Sequence, residues 1–309
     1  MAVLSGALSS LGISLGVHAP ERLDRVPLHA ALVEARSRDP EIVISMLPLP
    51  FEPGIVGDAL FPASQPNKFT QFLRFQQSSI PTLLTKLFKF GATFPGSPLD
   101  IVTLKPSILD TSLPHAMITL RNGVLHKLIP GDFEPEHPIR QHPYVVQEYL
   151  ETDRRPTSFR VVLFLGRPLL SYKMISRVEH PQLASNGAHV GPEFISNNGH
   201  DGFDAQLESN DEMLEVAVGM SLSVGHPPLA KCDLLYNTNK GWRALEVSVT
   251  DFNGWPLGRQ NLVDALGREA MINQFDMINT IAKRICELAE GPLGGASSQV
   301  TTLDPDKEW

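Results

Sequence analysis

Residues 231–248 read KCDLLYNTNKGWRALEVS, two apolar segments that flank a polar stretch ending in glycine. Such a stretch favours a tight turn, so the sequence predicts a β-hairpin that turns at residues 239–241. Asp233 lies in the first strand of this hairpin and Glu246 in the second. Because paired strands place opposite residues on one face, the hairpin can bring both carboxylates to one side of a sheet.

Two such carboxylates allow two interpretations. Mg²⁺ takes oxygen ligands, usually one or two carboxylates with substrate phosphates and water, so the pair suits a metal–nucleotide complex. Alternatively, Asp233 and Glu246 are charges on the solvated edge of a sheet, which the spacing alone favours. Lys68 and Lys105, each typical of a solvated surface when taken alone, favour the metal–nucleotide complex, because together with the acids they can contact phosphates.

The rest of the chain predicts an α/β protein with an antiparallel, β-rich middle. Helical periodicity and strand-like alternation are separated by turn residues, and Asn67, Ser209 and Asn210 are candidate helix caps. The predicted elements are a helix over 26–37, a strand over 41–50, a helix from 67 that ends before Pro81, a strand over 100–106, a hairpin over 115–129 that turns at Asn122-Gly123, a strand over 143–151, a strand pair over 158–175 that turns at Gly166-Arg167, a helix over 209–225, the 231–248 hairpin and a helix over 268–290.

Composition excludes several classes of protein. The 309 residues are 42% hydrophobic and 19% charged, which argues against long disorder. The 26 basic and 34 acidic residues give a net charge of −8 without a basic run, so nucleic acid is not an expected partner. Cys232 and Cys286 are the only cysteines, so we expect no disulfide framework, and a reducing cytoplasm fits. Cys232 should pack in the core, and Trp242 and Trp255 at a sheet edge.

Neither a signal peptide nor a membrane span is expected. The apolar residues 1–17 lack a basic start and are interrupted by Gly6, Gly12 and Gly16, which favours a core segment. No stretch reaches the roughly 18 unbroken apolar residues of a membrane-spanning helix, so we expect a soluble, cytoplasmic protein. The sequence also lacks a Walker-type phosphate loop, a G-x-S-x-G elbow and an H-E-x-x-H helix.

The order of several segments between residues 67 and 255 resembles the ATP-grasp superfamily. These segments are NKFTQFLRFQQSSIPTLLT (67–85), IVTLKP (101–106), YVVQEYLE (144–151), SFRVVLFLGRPLLSYKMISR (158–177), SNGAHV (185–190) and KCDLLYNTNKGWRALEVS (231–248). The resemblance implies an ATP-grasp fold, in which two α+β subdomains grip a nucleotide. It implies a division into a small α/β N-terminal domain (1–66), a linking helix with a small β-rich subdomain (67–142), a C-terminal subdomain (143–292) and a flexible tail (293–309).

The resemblance also implies the ligands, which are ATP and Mg²⁺ or Mn²⁺. By position, the implied nucleotide contacts are Lys68 and Lys105 to the phosphates, Asp153 to the ribose and Asn186 to the γ-phosphate. The implied adenine hinge consists of Gln147, Glu148, Tyr149 and Leu150, with backbone groups from the last two. The implied catalytic contacts to the transferred phosphate or the acceptor are Arg160, Arg177 and Lys231, and the implied metal ligands are Asp233, Glu246 and Ser248.

The chain departs from the family pattern at three places. Ser248 stands where the family usually has asparagine and is a shorter, weaker oxygen ligand, although Asp251 and Asn253 are near enough in sequence to substitute. Residues 107–117 contain no glycine where the family often has a Gly-rich loop, which reduces backbone cradling of the phosphates. Ser79 replaces a glycine that follows the first helix in the family.

The resemblance implies a ligase in which ATP converts a carboxylate to an acylphosphate and an amine then attacks to give an amide. The partners are small carboxylates and amines such as amino acids or peptides, and the short N-terminal domain leaves open a homo-oligomer. No protein nucleophile is required, so catalysis reduces to positioning and charge neutralisation. The alternatives are an ATP-grasp kinase acting on a hydroxyl group, against which the acidic chain argues, and a catalytically decayed nucleotide-binding relative.

Overall fold

Two five-stranded antiparallel sheets organise the part of the chain that the computed structural model describes. The described residues are 43–44, 60–61, 66–96, 100–107, 117–177, 179–180, 188–190, 202–249 and 256–290. The predicted helix over 26–37, the predicted tail over 293–309 and Trp255 lie outside them. None of the helices in the described ranges has the length and hydrophobicity of a membrane-spanning helix.

The described part of the chain contains twelve strands and six α-helices. The strands are β1 (Val43–Ile44), β2 (Leu60–Phe61), β3 (Thr85–Leu87), β4 (Ile101–Pro106), β5 (Ile118–Arg121), β6 (Tyr144–Glu148), β7 (Thr157–Phe164), β8 (Arg167–Ser176), β9 (Ala188–Val190), β10 (Phe203–Leu207), β11 (Leu229–Asn237) and β12 (Gly241–Val249). The α-helices are α1 (Lys68–Gln77), α2 (Asn122–Leu125), α3 (Asp211–Ser223), α4 (Gln260–Leu266), α5 (Arg268–Asn273) and α6 (Met277–Glu290).

The strand order defines two sheets. β1 and β2 form a parallel pair. The first sheet has the order β3-β6-β4-β5-β9, and the second sheet has the order β10-β8-β7-β11-β12. All neighbouring strands in both sheets are antiparallel. The predicted α/β composition and the antiparallel, β-rich middle are therefore confirmed.

One face of the second sheet packs on α3. Cys232 in β11 is fully buried in this core, and its burial raises the pKa of the thiol, so the predicted packing role is confirmed. Trp242 packs its ring edge-to-face against Phe159 with the ring centroids 4.7 Å apart, as predicted for a sheet edge. The members of this core include Phe75, Ile80, Val161, Leu163, Met213, Ala217, Met220, Ala230, Leu234, Ala244 and Val247.

The opposite face of the second sheet carries both an apolar core and charged side chains. Val162 and Tyr172 pack there against apolar residues of α4, α5 and α6. Arg160 lies directly opposite Tyr172 on one side and Asp233 on the other, and Asp233 lies opposite Glu246. Because directly opposite residues share a face, these charged side chains continue the surface on which the helices pack.

The first sheet has an apolar face and a polar face. Its apolar face packs residues of β4, β5 and β6 against Phe94, Leu125 and Ile139. The other face is polar and carries a row of four aligned residues, one from each of four strands. Lys105 lies on this face, because it follows the β4 member of the row by two residues. This row consists of Thr85, Gln147, Thr103 and Thr119.

The ends of α1 are set by capping. The side chain of Asn67 accepts a hydrogen bond from the Thr70 N–H group at 2.9 Å, which confirms the predicted N-cap. The helix ends in a Schellman motif in which the Ile80 N–H group donates to the Phe75 carbonyl at 2.9 Å. Ser79 has a φ of +57° there, a conformation that glycine adopts most easily.

Replacing Ser79 with glycine is therefore expected to stabilise the protein by about 0.5–1 kcal/mol, because relief of the left-handed strain outweighs the greater entropy of the unfolded chain. Urea denaturation measures the change. The control is Ser78→Gly, since Ser78 has a φ of −88° and gains nothing from glycine. A Ser79→Gly variant that is no more stable than the wild type would contradict the assignment of strain.

The predicted hairpin over 115–129 is wrong. The chain forms β5, which pairs with β4 and β9, and Asn122 then begins the short helix α2. The Asn122 side chain is buried and donates to the Phe94 carbonyl at 3.0 Å, while Leu125 is buried in the apolar core of the first sheet. These tertiary contacts outweigh the preference of Asn-Gly for a two-residue turn.

The predicted helix over 268–290 is interrupted. It forms α5 and α6, separated by residues 274–276, and Asp276 has a φ of +48°. The backbone leaves the helical conformation at Asp276, whereas Gln274 is still helical and its N–H group donates to the Ala270 carbonyl at 3.1 Å. The Gln274 side-chain amide accepts from the Ser171 N–H group at 2.9 Å and donates to the Ser171 carbonyl at 3.0 Å, which attaches the end of α5 to β8. The predicted cap of the earlier helix is confirmed at Asn210, whose side chain accepts from the Met213 N–H group at 3.0 Å.

Candidate functional site

Two lysines from different elements lie where the two sheets meet. Lys68 is the first residue of α1, and Lys105 is near the end of β4. The Lys68 N–H group donates to the Ser107 carbonyl at 3.0 Å, so the start of α1 is fixed beside the end of β4. Both side chains line one cavity together with Gln147 and Glu246. The structure thus brings together four residues that the sequence analysis selected.

A β-bulge in β12 decides which way Glu246 faces. In the β11–β12 hairpin, Leu234 pairs with Ala244 but the preceding Asp233 pairs with Glu246, so Leu245 is an extra residue. Without the bulge, Leu245 would pair with Asp233, and Glu246 would pair with Cys232 and face the apolar core. The bulge therefore places Glu246 beside Asp233 on the charged face.

Both carboxylates are held by cations. Arg160 binds Asp233 in a bidentate pair, with Nε to Oδ1 at 2.6 Å and Nη2 to Oδ2 at 2.8 Å. The two side chains are only 10% and 16% exposed, so this pair is largely buried. Lys68 Nζ lies 3.4 Å from Glu246 Oε2. Arg160, predicted to contact a phosphate or the acceptor, therefore also supports Asp233.

Lys105 is held in a hydrogen-bonded chain on the polar face of the first sheet. Its Nζ donates to Gln147 Oε1 at 2.9 Å, and Gln147 Nε2 donates to Thr85 Oγ1 at 2.9 Å. Burial lowers the pKa of Lys105 to about 8, repulsion from Lys68 adds to the decrease, and the nearby carboxylates oppose it. Lys105 is thus a poorly solvated cation that a polyanion would stabilise.

Replacing Lys105 with methionine is expected to raise the free energy of unfolding by about 1–3 kcal/mol at pH 7, because the cation is desolvated in the folded state. The folded-state pKa of about 8 lies below the ordinary value of 10.5. Between these values the unfolded chain holds more protons than the folded chain, so wild-type stability rises with pH. The advantage of the variant should therefore shrink from pH 7 to pH 10.

Urea denaturation at the two pH values measures this difference. Lys86→Met, at an exposed position of β3, is the matched control and should show no such pH dependence. A Lys105→Met variant that is destabilised equally at pH 7 and pH 10 would contradict the assignment.

The next cross-strand pair continues the same face. Lys231 lies opposite Ser248 and, on its other side, opposite Val162. Because every second residue of a strand faces the same way, Lys231 shares the face of Asp233, and Ser248 shares the face of Glu246. The predicted metal ligands and Lys231 therefore occupy two adjacent cross-strand pairs.

The segment predicted as an adenine hinge spans the end of β6 and contacts both sheets. Glu148 accepts a hydrogen bond from Lys240 at the tip of the β11–β12 hairpin. The Tyr149 N–H group donates to the Ile101 carbonyl at 3.1 Å and so extends the first sheet. In this structure the Tyr149 N–H group is therefore bonded to the first sheet, and Leu150 is buried.

The Tyr149 hydroxyl takes part in a chain of hydrogen bonds. It lies 2.6 Å from His180 Nδ1, and His180 Nε2 lies 2.6 Å from the Asp153 carbonyl oxygen. Since a carbonyl only accepts, we assign the proton of neutral His180 to Nε2, and the tyrosine hydroxyl donates to Nδ1. The Asp153 carboxylate, the predicted ribose contact, accepts from the Arg154 N–H group at 2.7 Å and is exposed.

Arg177 lies apart from these residues. Its Nε donates to Asp204 at 3.0 Å, and Arg155 approaches the same carboxylate at 3.9 Å. Arg177 directly follows β8 and lies five positions after Tyr172, the residue opposite Arg160, which is about 17 Å at the usual strand rise. Three further predicted residues lie outside the described part of the chain: Asn186, Asp251 and Asn253.

Gln71 contributes to the site and was not predicted. It is only 1% exposed, and its side-chain amide pairs with the backbone of Val247, the residue after Glu246. The sequence contains a signal for it, a glutamine between Phe69 and Phe72 on the apolar side of a helix. A polar side chain at such a position is buried only if it is hydrogen-bonded.

The donor set fits a metal ion that is shared with phosphates. The Cβ atoms of directly opposite residues are typically about 4.5–5.5 Å apart, so Asp233 and Glu246 can reach one ion. Each carboxylate oxygen keeps a lone pair beyond the one used by its cation. The described residues contain no group of three or more His, Cys, Asp or Glu side chains that could hold a metal. Two carboxylates suit Mg²⁺ that takes its other ligands from phosphates and water.

Comparisons with known proteins find similarity only at the level of structure. No protein-family model matches the sequence, and no curated protein matches it. Among solved structures, the ATP-grasp ligase PsnB, complexed with a phosphomimetic variant of a minimal precursor, Mg and ADP, is 12% identical with a TM-score of 0.41. The chain is similar to ATP-grasp ligases.

Two further solved structures extend this similarity. The D-cycloserine synthetase DcsG is 15% identical with a TM-score of 0.47, and the match covers 94% of each chain. The L-amino acid ligase from Bacillus licheniformis is 15% identical with a TM-score of 0.44, and the match covers 84% of this chain and 60% of the ligase. The match to PsnB covers 72% of this chain and 58% of PsnB. At these identities and TM-scores, the reaction must be argued from the site.

Proposed function

We propose that the protein is an ATP-dependent ligase that joins a carboxylate to an amine through an acylphosphate. The observation that carries the proposal is the convergence of two lysines and two carboxylates between the sheets. Lys68 and Lys105 line the same cavity as Glu246, and Asp233 lies directly opposite Glu246 on the charged face. Cations facing paired carboxylates are the arrangement that a metal–triphosphate complex requires.

Under this proposal each group has a defined role. Lys68 and Lys105 bind the phosphates of ATP. Burial has removed water from the Lys105 ammonium and lowered its pKa, so a bound phosphate would stabilise its charged form. Asp233 and Glu246 hold Mg²⁺, which when bound neutralises phosphate charge. Lys231 and Ser248 occupy the next pair on the same face, where they can contact the transferred phosphate and the metal shell.

The proposed reaction needs no protein nucleophile. A carboxylate oxygen attacks the γ-phosphorus of ATP, the bond to the β-phosphate oxygen breaks, and ADP leaves. The amine nitrogen then attacks the acyl carbon, the carbon–oxygen bond to phosphate breaks, and the nitrogen loses a proton to solvent. The protein contributes positioning and charge neutralisation, which its lysines and arginines can supply.

The test is a turnover assay on the full chain with ATP and Mg²⁺. Mixtures of amino acids and short peptides serve as acceptors, ADP and phosphate are quantified, and the products are identified by mass spectrometry. A ligase releases ADP and phosphate in equal amounts and forms an amide. A kinase would release ADP without phosphate and form a phosphorylated product. Binding of ATP without turnover in any mixture would point to the decayed relative.

A further inference from the structure

Gln71 connects helix α1 to the strand that carries Glu246. Its Nε2 donates to the Val247 carbonyl at 3.0 Å and to the Pro66 carbonyl at 2.9 Å, and its Oε1 accepts from the Val247 N–H group at 2.8 Å. The side chain thus satisfies both backbone groups of one residue in β12, the outer strand of the second sheet. Gln71 is only 1% exposed, so this amide is buried.

The attachment lies directly beside the candidate site. Lys68 and Gln71 are three residues apart in α1 and therefore lie on the same side of the helix. They reach successive residues of β12, since Lys68 contacts Glu246 and Gln71 contacts Val247. The start of α1 is held at its other side by the bond from Lys68 to Ser107, beyond Lys105.

The bulge makes this attachment consequential. On the outer edge of β12, the Ala244 N–H group donates to the Pro81 carbonyl at 2.8 Å, and Val247 binds Gln71. These two attachments flank the extra residue Leu245 and Glu246. Because the direction of Glu246 depends on the bulge, the contacts on each side of it fix where the carboxylate lies.

We propose that Gln71 is a positioning residue, which holds α1 and the bulged part of β12 in register so that Lys68 and Glu246 meet at the metal–phosphate site. The metal–phosphate part of this inference rests on the proposed function. The positional part, the alignment of Lys68 with Glu246, does not depend on any ligand.

Gln274 provides a matched control within the same sheet. Its side-chain amide also pairs with both backbone groups of one strand residue, Ser171 in β8, at 2.9 and 3.0 Å. Gln71→Met and Gln274→Met therefore remove equivalent pairs of backbone hydrogen bonds while keeping the length of the side chain. Both variants should lose stability, but only Gln71→Met should disturb Lys68. Gln71→Glu keeps the acceptor for the Val247 N–H group and is the milder variant if Gln71→Met folds poorly.

The first experiment measures how fast Lys68 reacts with an amine-acylating reagent, quantified by peptide mass spectrometry on the folded protein. An ion pair worth about 0.5–1 kcal/mol corresponds to roughly a two- to fivefold protection of the amine. Gln71→Met should therefore accelerate Lys68 by this factor. Lys86, exposed in β3 of the other sheet, is the internal reference and should keep its rate. An unchanged Lys68 rate in Gln71→Met, or equal acceleration in Gln274→Met, would overturn the inference.

The second experiment compares steady-state kinetics with MgATP at temperatures where all variants are folded. Loss of a residue that orients a metal ligand typically costs about 10- to 100-fold in metal affinity or activity. The KM for MgATP should rise accordingly in Gln71→Met and stay at the wild-type value in Gln274→Met. Equal KM values in the two variants would overturn the positioning role. If the wild type itself does not turn over ATP, the proposed function fails, and the labelling rates alone decide the role of Gln71.

Discussion

Glu246→Gln is expected to lower ATP turnover by about 10²-fold or more while leaving the fold intact. The substitution keeps the shape of the side chain and removes the charge that we propose to hold Mg²⁺. Loss of such a charge typically raises the free energy of the transition state by several kcal/mol. Stability should change by less than about 1 kcal/mol, because the pair with Lys68 is 23% exposed on each side.

The effect on nucleotide binding separates a metal ligand from an edge charge. Removal of the carboxylate frees Lys68 and leaves the site more positive, so ATP without Mg²⁺ should bind at least as tightly as to the wild type. The stimulation of binding by Mg²⁺ should disappear. Isothermal titration of ATP with and without Mg²⁺ measures both quantities, alongside the turnover assay.

Glu287→Gln is the control for this experiment, since Glu287 pairs with Arg167 and Arg284 on the exposed surface of α6. It should keep turnover and the response to Mg²⁺. If Glu246→Gln retains full turnover with an unchanged Mg²⁺ dependence, Glu246 is an edge charge, and the proposed metal site is wrong.

The hairpin that carries Glu246 was predictable, but its final geometry was not. The turn residues and the two apolar segments indicate the pairing of β11 with β12. If the strands paired regularly from the turn onward, however, Glu246 would lie opposite Cys232 and face the apolar core. The extra residue Leu245 corrects this, and a bulge leaves no distinct local signature in the sequence. Only the free energy of burying a carboxylate in an apolar core argues for it.

The partners of the predicted residues depend on contacts distant in sequence. Arg160 and Asp233 are 73 positions apart, and their bond follows from the pairing of β7 with β11. The pairing of Gln71 with Val247 spans 176 positions. Local patterns located the elements that carry these residues, while the packing of the elements decides which side chains meet.

The wrong turn prediction and the interrupted helix both lie beside side-chain amides that bind distant backbone. Asn122-Gly123 has the composition of a hairpin turn, but the Asn122 side chain is bound to the Phe94 carbonyl and begins a helical turn instead. The periodicity of the last helix continues through Gln274, whose side chain binds the backbone of Ser171, and the helical backbone is interrupted at Asp276. At Asn122 a side-chain amide bound to distant backbone outweighs local propensity, while at Gln274 it fixes where the end of α5 lies on the sheet.

Asp233→Asn is expected to lower the free energy of unfolding by about 3–5 kcal/mol, the largest stability effect that we predict. Arg160 is only 10% exposed, and Asp233 accepts from two of its nitrogen atoms. Loss of the carboxylate charge leaves a buried guanidinium whose remaining described partner is Tyr172. Breaking a buried ion pair from one side is costly for this reason.

Denaturation in guanidinium chloride measures the loss, with Asp204→Asn as the control. Asp204 also pairs with arginines, but its side chain is 48% exposed, so its loss should cost less than about 1 kcal/mol. The double variant Arg160→Met with Asp233→Leu should recover most of the stability, because apolar side chains can replace a buried pair without leaving a charge unpaired.

The same double variant separates the structural role of Asp233 from its proposed role as a metal ligand. If the carboxylate only supports Arg160, Mg²⁺ should stimulate ATP binding to the double variant as it does for the wild type; binding is the readout because the variant also lacks Arg160, a predicted catalytic contact. If Asp233 holds Mg²⁺, the double variant should fold like the wild type and lose the stimulation of ATP binding by Mg²⁺. An Asp233→Asn variant as stable as Asp204→Asn would show instead that the Arg160 pair is accessible to solvent.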